Sequence, residues 1–384
     1  MADYETPEIM RLPLEELCLR IKVCDLGPIK GVLDSAIDAP SSDLVDNAIQ
    51  TLKEVQALSI DDSQTLTSLG AHLANLPVDV HIGKMILFGA LFRCLDPVLT
   101  IAAALSFKSP FVRPFGKETE ADVARAKFRY ADSDFWTIFR AYDTWRAQLQ
   151  KLLQQKSGWR RKIRDFCQKN YLSHDNLEMI EDMKRQYLGL LVSIGFVKMD
   201  DDTSDLVEKY EMKRQTKWCK VPQAYNVYAR SVPVVNAAIM AGLYPKLAER
   251  DNEVFYNNKL SGMKIHPSSM LFGRQRMLSS DFLVYNTVVM NGEQIYLWEA
   301  TTIDPVAVML LAADLEIKHK QRRVILDGWM KFDCFARSAA LLKFLRTELN
   351  NWLTAKMHQP ELDLTNYSEE IMDIMVKTLE SQVD

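Results

Sequence analysis

The feature that most constrains this chain is a change in hydrophobic period. From Leu14 to Ile194 apolar residues recur every three or four positions, the spacing of one helix face, whereas beyond Lys220 they recur nearer every second position. A chain patterned this way folds as helices first and β structure last. At 384 residues it has room for two or three domains. With 48% hydrophobic and 26% charged residues it can bury a core throughout. The segment Met85 to Leu105 is the most apolar, but Arg93, Asp96 and Pro97 interrupt it well short of the ~20 apolar residues a membrane span needs. No membrane partner is expected, and the acidic opening MADYETPEIM has no signal-peptide character.

Within residues 1–80 there are 14 acidic and 5 basic side chains, although the whole chain carries only −4. Pro13 to Val23 has helical spacing behind a helix-opening proline. Ser42 to Leu58 repeats that spacing, with Ser41 or Ser42 as N-cap, and a third helix is expected. Ala57–Ile60 and Thr65–Leu69 flank the turn Asp61-Asp62-Ser63-Gln64 as a short hairpin. Helices followed by a hairpin predict a winged helix over 1–80. From Val80 to Leu105 two apolar helices meet at Asp96-Pro97, and Glu118 to Leu153 and His174 to Ile194 continue a helical domain over 81–198, with Gly195 placed to end its last helix.

After the acidic turn Asp200-Asp201-Asp202, a β domain over 199–384 is expected. Asp281–Met290 and Glu293–Thr302 are strand-like runs joined at Asn291-Gly292, a dipeptide suited to the positive φ of a tight hairpin. Val254–Tyr256 with Met263–His266 reads as a second hairpin, Val324–Phe332 turns at Asp327-Gly328, and Ala336–Met357 reads as a closing helix. The fold class is therefore mainly α with a small C-terminal β-barrel.

The chain has no GxxxxGK[ST] phosphate loop, no Asp-Glu dipeptide and so no DExD or DExH box, and no GxGxxG, HExxH or GxSxG. No bound cofactor or metal is expected, and the six cysteines have no zinc-ligand spacing and are expected to be reduced. Two places carry binding chemistry. Arg146 to Lys169 holds eight basic residues, among them Arg160, Arg161 and Lys162, against Asp165 alone, with Trp159 and Phe166 interleaved. Charge with aromatic faces suits a nucleic-acid strand, and a solvated helix face has the same composition. Lys264-Ile265-His266-Pro267-Ser268-Ser269 gathers a cation, an imidazole and two hydroxyls on one turn. These groups suit phosphate and sugar contacts, or Ser268 and Ser269 merely cap the turn. Tyr285 nearby offers a stacking face, or fills the barrel.

Several strings resemble the DEAH/RHA-type RNA helicases, most of all their RHA-like branch. Thr6-Pro7-Glu8-Ile9-Met10-Arg11, Pro13 to Leu19, and Leu66 to Asp79 resemble the winged helix that follows the motor in that family. Ile82 to Met85, Cys94-Leu95-Asp96-Pro97, Ser106 to Phe111, Ser133-Asp134 and Ala141-Tyr142 with Trp145 resemble its helical ratchet domain. Ala241 to Pro245, His266 to Ser269 and Thr301-Thr302 resemble its OB-fold. Arg250 to Ser261 is shorter and less basic than the matching hairpin of some relatives, which weakens any quadruplex-specific role.

The resemblance implies a C-terminal module that grips single-stranded or structured RNA against RecA-like motor domains of the same parent chain. ATP and magnesium would be held by that motor. It also implies a cytoplasmic or nuclear location. A second expectation, from another class, is a protein-interaction platform that binds an activator or the ribosome through its acidic winged helix or OB surface.

Overall fold

The computed structural model describes residues 13–154, 158–199, 218–312, 315–360 and 367–381. The quoted strings Thr6–Arg11 and Asp200–Asp202, together with Lys156 of the basic run, lie outside them. The N-terminal part holds α1 (Leu14–Val23), α2 (Ile29–Asp34), α3 (Ser42–Glu54) and α4 (Ser68–Ala74). The expected hairpin is reduced to one bridge, Leu58 with Leu66. Ser41 stands at the N-cap of α3 without a side-chain cap bond, whereas the Thr67 hydroxyl caps α4 by accepting from the Gly70 amide at 3.0 Å. Gly70 allows α4 to lie flat on the segment after α3, since a Cβ there would fall 2.1 Å from the Ala57 carbonyl oxygen.

The helical part comprises α5 (Val80–Leu91), α6 (Leu95–Ser106), α7 (Glu118–Ala126), α8 (Asp134–Leu153), α9 (Trp159–Lys169) and α10 (His174–Ser193). Gly195 follows α10 with φ 79°, and the Phe196 amide donates back to Leu191 at 2.9 Å, the left-handed stop expected of that glycine. Every residue of α5 is buried, which requires partners on all sides. One partner is α11 (Val232–Leu243), which belongs by sequence to the β half. The two helices touch backbone to backbone at Gly242, where a Cβ would lie 2.4 Å from the Met85 Cα. One buried apolar cluster accordingly runs from Leu14 to Leu379 across all the expected boundaries.

A buried polar cluster crosses the same seam. Lys184, fully buried, donates to Asp96 at 3.0 Å and to the Tyr142 hydroxyl at 3.3 Å. Tyr142 donates to Glu181, which also accepts the Cys219 amide, while Arg146 donates to the Cys219 carbonyl at 2.9 Å. Burial alone would raise the Asp96 carboxyl, but the Lys184 ammonium and Arg146 guanidinium outweigh it and hold it below the usual range.

The β half begins with a five-stranded sheet built from β1 (Leu247–Asp251), β2 (Val254–Tyr256), β3 (Lys264–Ile265), β4 (Phe282–Asn291) and β5 (Gln294–Ile303), in the order β2-β1-β4-β5-β3. The β4–β5 hairpin forms one residue later than expected, pairing Asn291 with Gln294 around Gly292 at φ 59°. The expected second hairpin is reduced to one antiparallel bridge, in which Phe255 and Met263 exchange amide hydrogen bonds at 2.8 and 2.9 Å. Its first arm, β2, pairs antiparallel with β1, and its second, β3, pairs parallel with β5. The edge strands meet only at Phe255 and Met263, so the sheet is not closed into a barrel among the described residues. The cause is the shortness of β3, two residues between the bend at Gly262 (φ 69°) and Pro267, whose nitrogen carries no hydrogen to donate. Then come α12 (Pro305–Leu311) and a three-stranded meander of β6 (Leu315–Lys318), β7 (Arg323–Leu326) and β8 (Met330–Asp333), with Asp327 and Gly328 both at positive φ in its second turn. Helices α13 (Ala336–His358) and α14 (Tyr367–Glu380) follow. The end of α13 returns to the N-terminal part, where the His72 ring nitrogen lies 2.7 Å from the Met357 carbonyl oxygen.

Candidate nucleic-acid interface

The turn after β3 is built by its register. Because Lys264 pairs with Tyr296 and Ile265 with Leu297, the next residue, His266, falls beside Trp298. The His266 amide donates to the Leu297 carbonyl at 3.0 Å. The two rings stack, with centroids 4.1 Å apart and planes 26° from parallel. Trp298 is 36% exposed, so the pair presents a flat surface at the protein's edge, with exposed Lys264 preceding it. The Ser268 amide donates to His266 Nδ1 at 3.1 Å, which fixes Nδ1 as the acceptor. Burial shifts this imidazole below its ordinary value, so the ring is neutral at pH 7.

The underside of the turn is anchored by a residue of the helical half. Asp134, 1% exposed, opens α8 just after its capping residue Ser133. Its carboxylate accepts from Ser269 Oγ at 2.6 Å, the Met270 amide at 2.8 Å, the Ala300 amide at 3.1 Å and Arg125 at 3.4 Å. A helix N-terminus favours a negative charge at this position. Arg125 lies over the Phe111 ring at 4.8 Å and also donates to the Ser268 carbonyl. Beside Asp134, Ala131 and Asp132 take positive φ without being glycine, a strained turn of the kind that persists only when held. It is held from the sheet: Asp132 accepts from Arg274 at 3.0 Å and from the Ser279 amide at 3.3 Å, and its carbonyl takes the Thr302 amide at 3.2 Å. Between the helices and the sheet at this joint lies a cavity of about 170 Å³, lined in part by Arg113, Tyr171, Ser268, Trp298 and Glu299.

Residues 79–138 match the helicase associated domain (HA2), ratchet-like; residues 235–315 match the oligonucleotide/oligosaccharide-binding (OB)-fold; and residues 322–381 match the C-terminal domain in RNA helicases. ATP-dependent RNA helicase DHX29 of Homo sapiens is 34% identical over 390 aligned residues, taking in 99% of this chain. ATP-dependent DNA/RNA helicase DHX36 of Mus musculus is 39% identical over 93% of the chain, and DExH-box ATP-dependent RNA helicase DExH1 of Arabidopsis thaliana 36% identical over 99%. The chain belongs to the DEAH-box RNA helicase family, as its C-terminal region. It spans only 27%, 34% and 35% of those three proteins.

On this helicase region the candidate residues separate into two places. Lys264, His266, Ser268 and Ser269 form the turn, but Ser269 is 7% exposed and its hydroxyl faces Asp134, so it supports the turn from below. Tyr285 is also largely inside, 6% exposed, with its hydroxyl accepting from Asn257 at 3.1 Å, and it lines a separate cavity of about 490 Å³ rather than the turn. Arg160, Arg161 and Lys162 are exposed on the first turn of α9, which packs through Ile163 and Cys167. They lie about 12 Å along the helix from Lys169, at 1.5 Å per residue, while Tyr171 just past the far end of α9 lines the cavity beside Ser268. The sequence reading missed Trp298, Arg125 and the anchoring role of Asp134. Outward alternation in β5 could have marked Trp298; nothing local could have paired it with His266.

Among the described residues no cluster of three or more His, Cys, Asp or Glu side chains could hold a metal, and no helix is long and apolar enough to cross a membrane.

Proposed function

We propose that this chain is the RNA-gripping accessory region of an ATP-dependent RNA helicase, holding a single strand against RecA-like motor domains of the same parent protein. The observation that carries the reading is the exposed His266–Trp298 stack beside Lys264, immobilised from below by Asp134. Stacking on an aromatic face with a neighbouring cation is how proteins hold single strands without reading sequence. ATP and magnesium belong to the motor in this reading, since the sequence has neither the GxxxxGK[ST] loop that cradles a triphosphate nor a DExD or DExH box. The chain alone should therefore bind RNA weakly and hydrolyse no ATP.

Fluorescence anisotropy with several unrelated single-stranded RNAs, over a range of salt, tests this. Similar affinities are expected, with a log–log salt slope of roughly −2 to −4 if three to five phosphates are contacted. A flat salt response, or RNA-stimulated phosphate release by contaminant-free chain, would overturn it. A second reading, a protein-binding face on the N-terminal part, is favoured by exposed Ile37, Leu44 and Ile60 within an acidic surface. It predicts capture of a basic partner while RNA binding is retained.

A further inference from the structure

The cavity at the joint between the helices and the sheet has a wall that the grip does not use. In a regular strand Trp298 and Glu299 would point to opposite faces. Glu299 instead takes φ 54°, and the β4–β5 ladder passes from Tyr285–Ala300 to Thr287–Trp298, leaving Asn286 and Glu299 out of the pairing. Both Trp298 and Glu299 line the same cavity as a result. A left-handed residue other than glycine inside a strand costs energy, and such strain collects where ligands are held.

The Glu299 carboxyl is what this distortion delivers. Asn286 donates to its Oε2 at 3.0 Å, and its Oε1 makes no hydrogen bond among the described residues. Oε1 is open to the cavity, because the sealed side-chain atoms without a partner among the described residues belong to His81, Arg125 and Arg185. The other charges of the wall are matched, Arg113 with Asp122 at 2.8 Å and Arg125 with Asp134 at 3.4 Å, so Glu299 is the surplus one. Burial, the largest influence, raises its carboxyl above the ordinary value although the Asn286 hydrogen bond and the Arg125 charge pull it down. Its charged form therefore lacks solvation that incoming N–H groups would supply.

A carboxylate in an RNA site repels phosphates and accepts from bases. Guanine is the base whose pairing edge presents two adjacent donors, N1–H and N2–H, which together match the two oxygens of one carboxylate. Oε2 keeps a lone pair beside the one that Asn286 uses. Adenine and cytosine set one amino donor beside a ring-nitrogen acceptor, and uracil flanks its single donor with two carbonyl oxygens, so each would press a lone pair against an acceptor. At about 170 Å³ the cavity is smaller than sites for whole small molecules, roughly 300–1,000 Å³, and suits one flat ring system. Phe111, Tyr171 and Trp298 border it with rings. Trp298 also stacks on His266, which puts the cavity one step from the grip.

We propose that this cavity takes an unpaired guanine base, with its N1–H and N2–H donating to the Glu299 carboxylate and its rings lying among Phe111, Tyr171 and Trp298. A guanine already paired through that edge has no donors left to offer. The base has two sources, the gripped strand or a free guanine nucleotide, and the strand source rests on the RNA-gripping reading. The stack holds any strand; the cavity adds a preference at one position, which mixed sequences containing guanine all satisfy.

Fluorescence anisotropy of the full chain with short oligouridine strands, unbroken or carrying one central guanine, inosine, adenine or cytosine, tests it together with titrations of GMP and UMP. The guanine strand should bind roughly tenfold tighter than the uridine, adenine and cytosine strands, within the discrimination of one bidentate base contact. Inosine, which lacks the N2 amino group, should lose most of that advantage in the unaltered chain. Glu299→Gln, which keeps an acceptor for Asn286, should remove it without lowering the melting temperature. A strand advantage of this kind assigns the cavity to RNA. A similar preference for GMP over UMP that Glu299→Gln removes, with no strand bound, assigns it to free nucleotide and overturns the RNA-gripping reading alone. Equal affinity for all strands and for both nucleotides, or a full guanine advantage that survives either inosine or Glu299→Gln, overturns the proposal.

Discussion

The two basic surfaces of this region are built on opposite plans. The start of α9 concentrates charge on long exposed side chains, over a helix that buries only Ile163 and Cys167. The turn after β3 presents one cation, Lys264, but sets it beside two stacked rings whose backbone is tied to Asp134, Arg125 and β5. Charge on flexible stems attracts a strand from any direction and fixes nothing, whereas a rigid stack loses little entropy on binding and sets where a base sits. The contrast teaches that positive charge density and a built binding geometry are separate properties, and that they need not coincide in one protein.

The largest expected effect comes from removing what makes the turn rigid. Asp134→Ala would leave the Ser269 hydroxyl, the buried Ala300 amide and the part-buried Met270 amide without this acceptor and Arg125 without its carboxylate; the destabilisation should be about 3–5 kcal/mol. Thermal melting should drop sharply and RNA affinity should fall with it. Unchanged melting would show that the turn stands without its anchor. Trp298→Ala should cost about 1–3 kcal/mol of RNA affinity, the usual worth of one stacked base, with melting unchanged because the ring lies at the surface. If stability fell and affinity did not, the stack would be structural and the comparison would collapse.

Charge reversal at α9 acts differently. Arg160→Glu, Arg161→Glu and Lys162→Glu together should make the salt slope shallower by about 2, at ~0.7 for each phosphate no longer neutralised, and by the same amount for every RNA sequence. No change would assign that helix face to solvent. The smallest effect is one of pH. His266 titrates below its unfolded value because burial disfavours its charged form, so the turn's contribution is complete above the ordinary imidazole pKa of ~6.5 and is lost as pH falls. Protonating Nδ1 removes the acceptor of the Ser268 amide. Affinity in the α9-reversed chain should show an inflection below that pH which His266→Phe abolishes, and arginines on α9 should give none.

What could be read from the sequence was local. The switch in hydrophobic period, the stop at Gly195, the hairpin around Gly292, the missing phosphate loop and the charge excess over 146–169 each follow from residues within a few positions of one another. Backbone dihedral preferences and helix or strand spacing act at that range. The tertiary structure alone decided the rest. Ser269 meets Asp134 across 135 residues, His266 meets Trp298 through a two-residue parallel pairing, and Phe111 and Glu299 face one cavity from different halves of the chain. It also left the barrel open, because β3 is too short to supply a ladder. Such pairings depend on which surfaces pack together once the chain has closed its loops, and that complementarity is a property of the whole core, with no signature at the residues it joins.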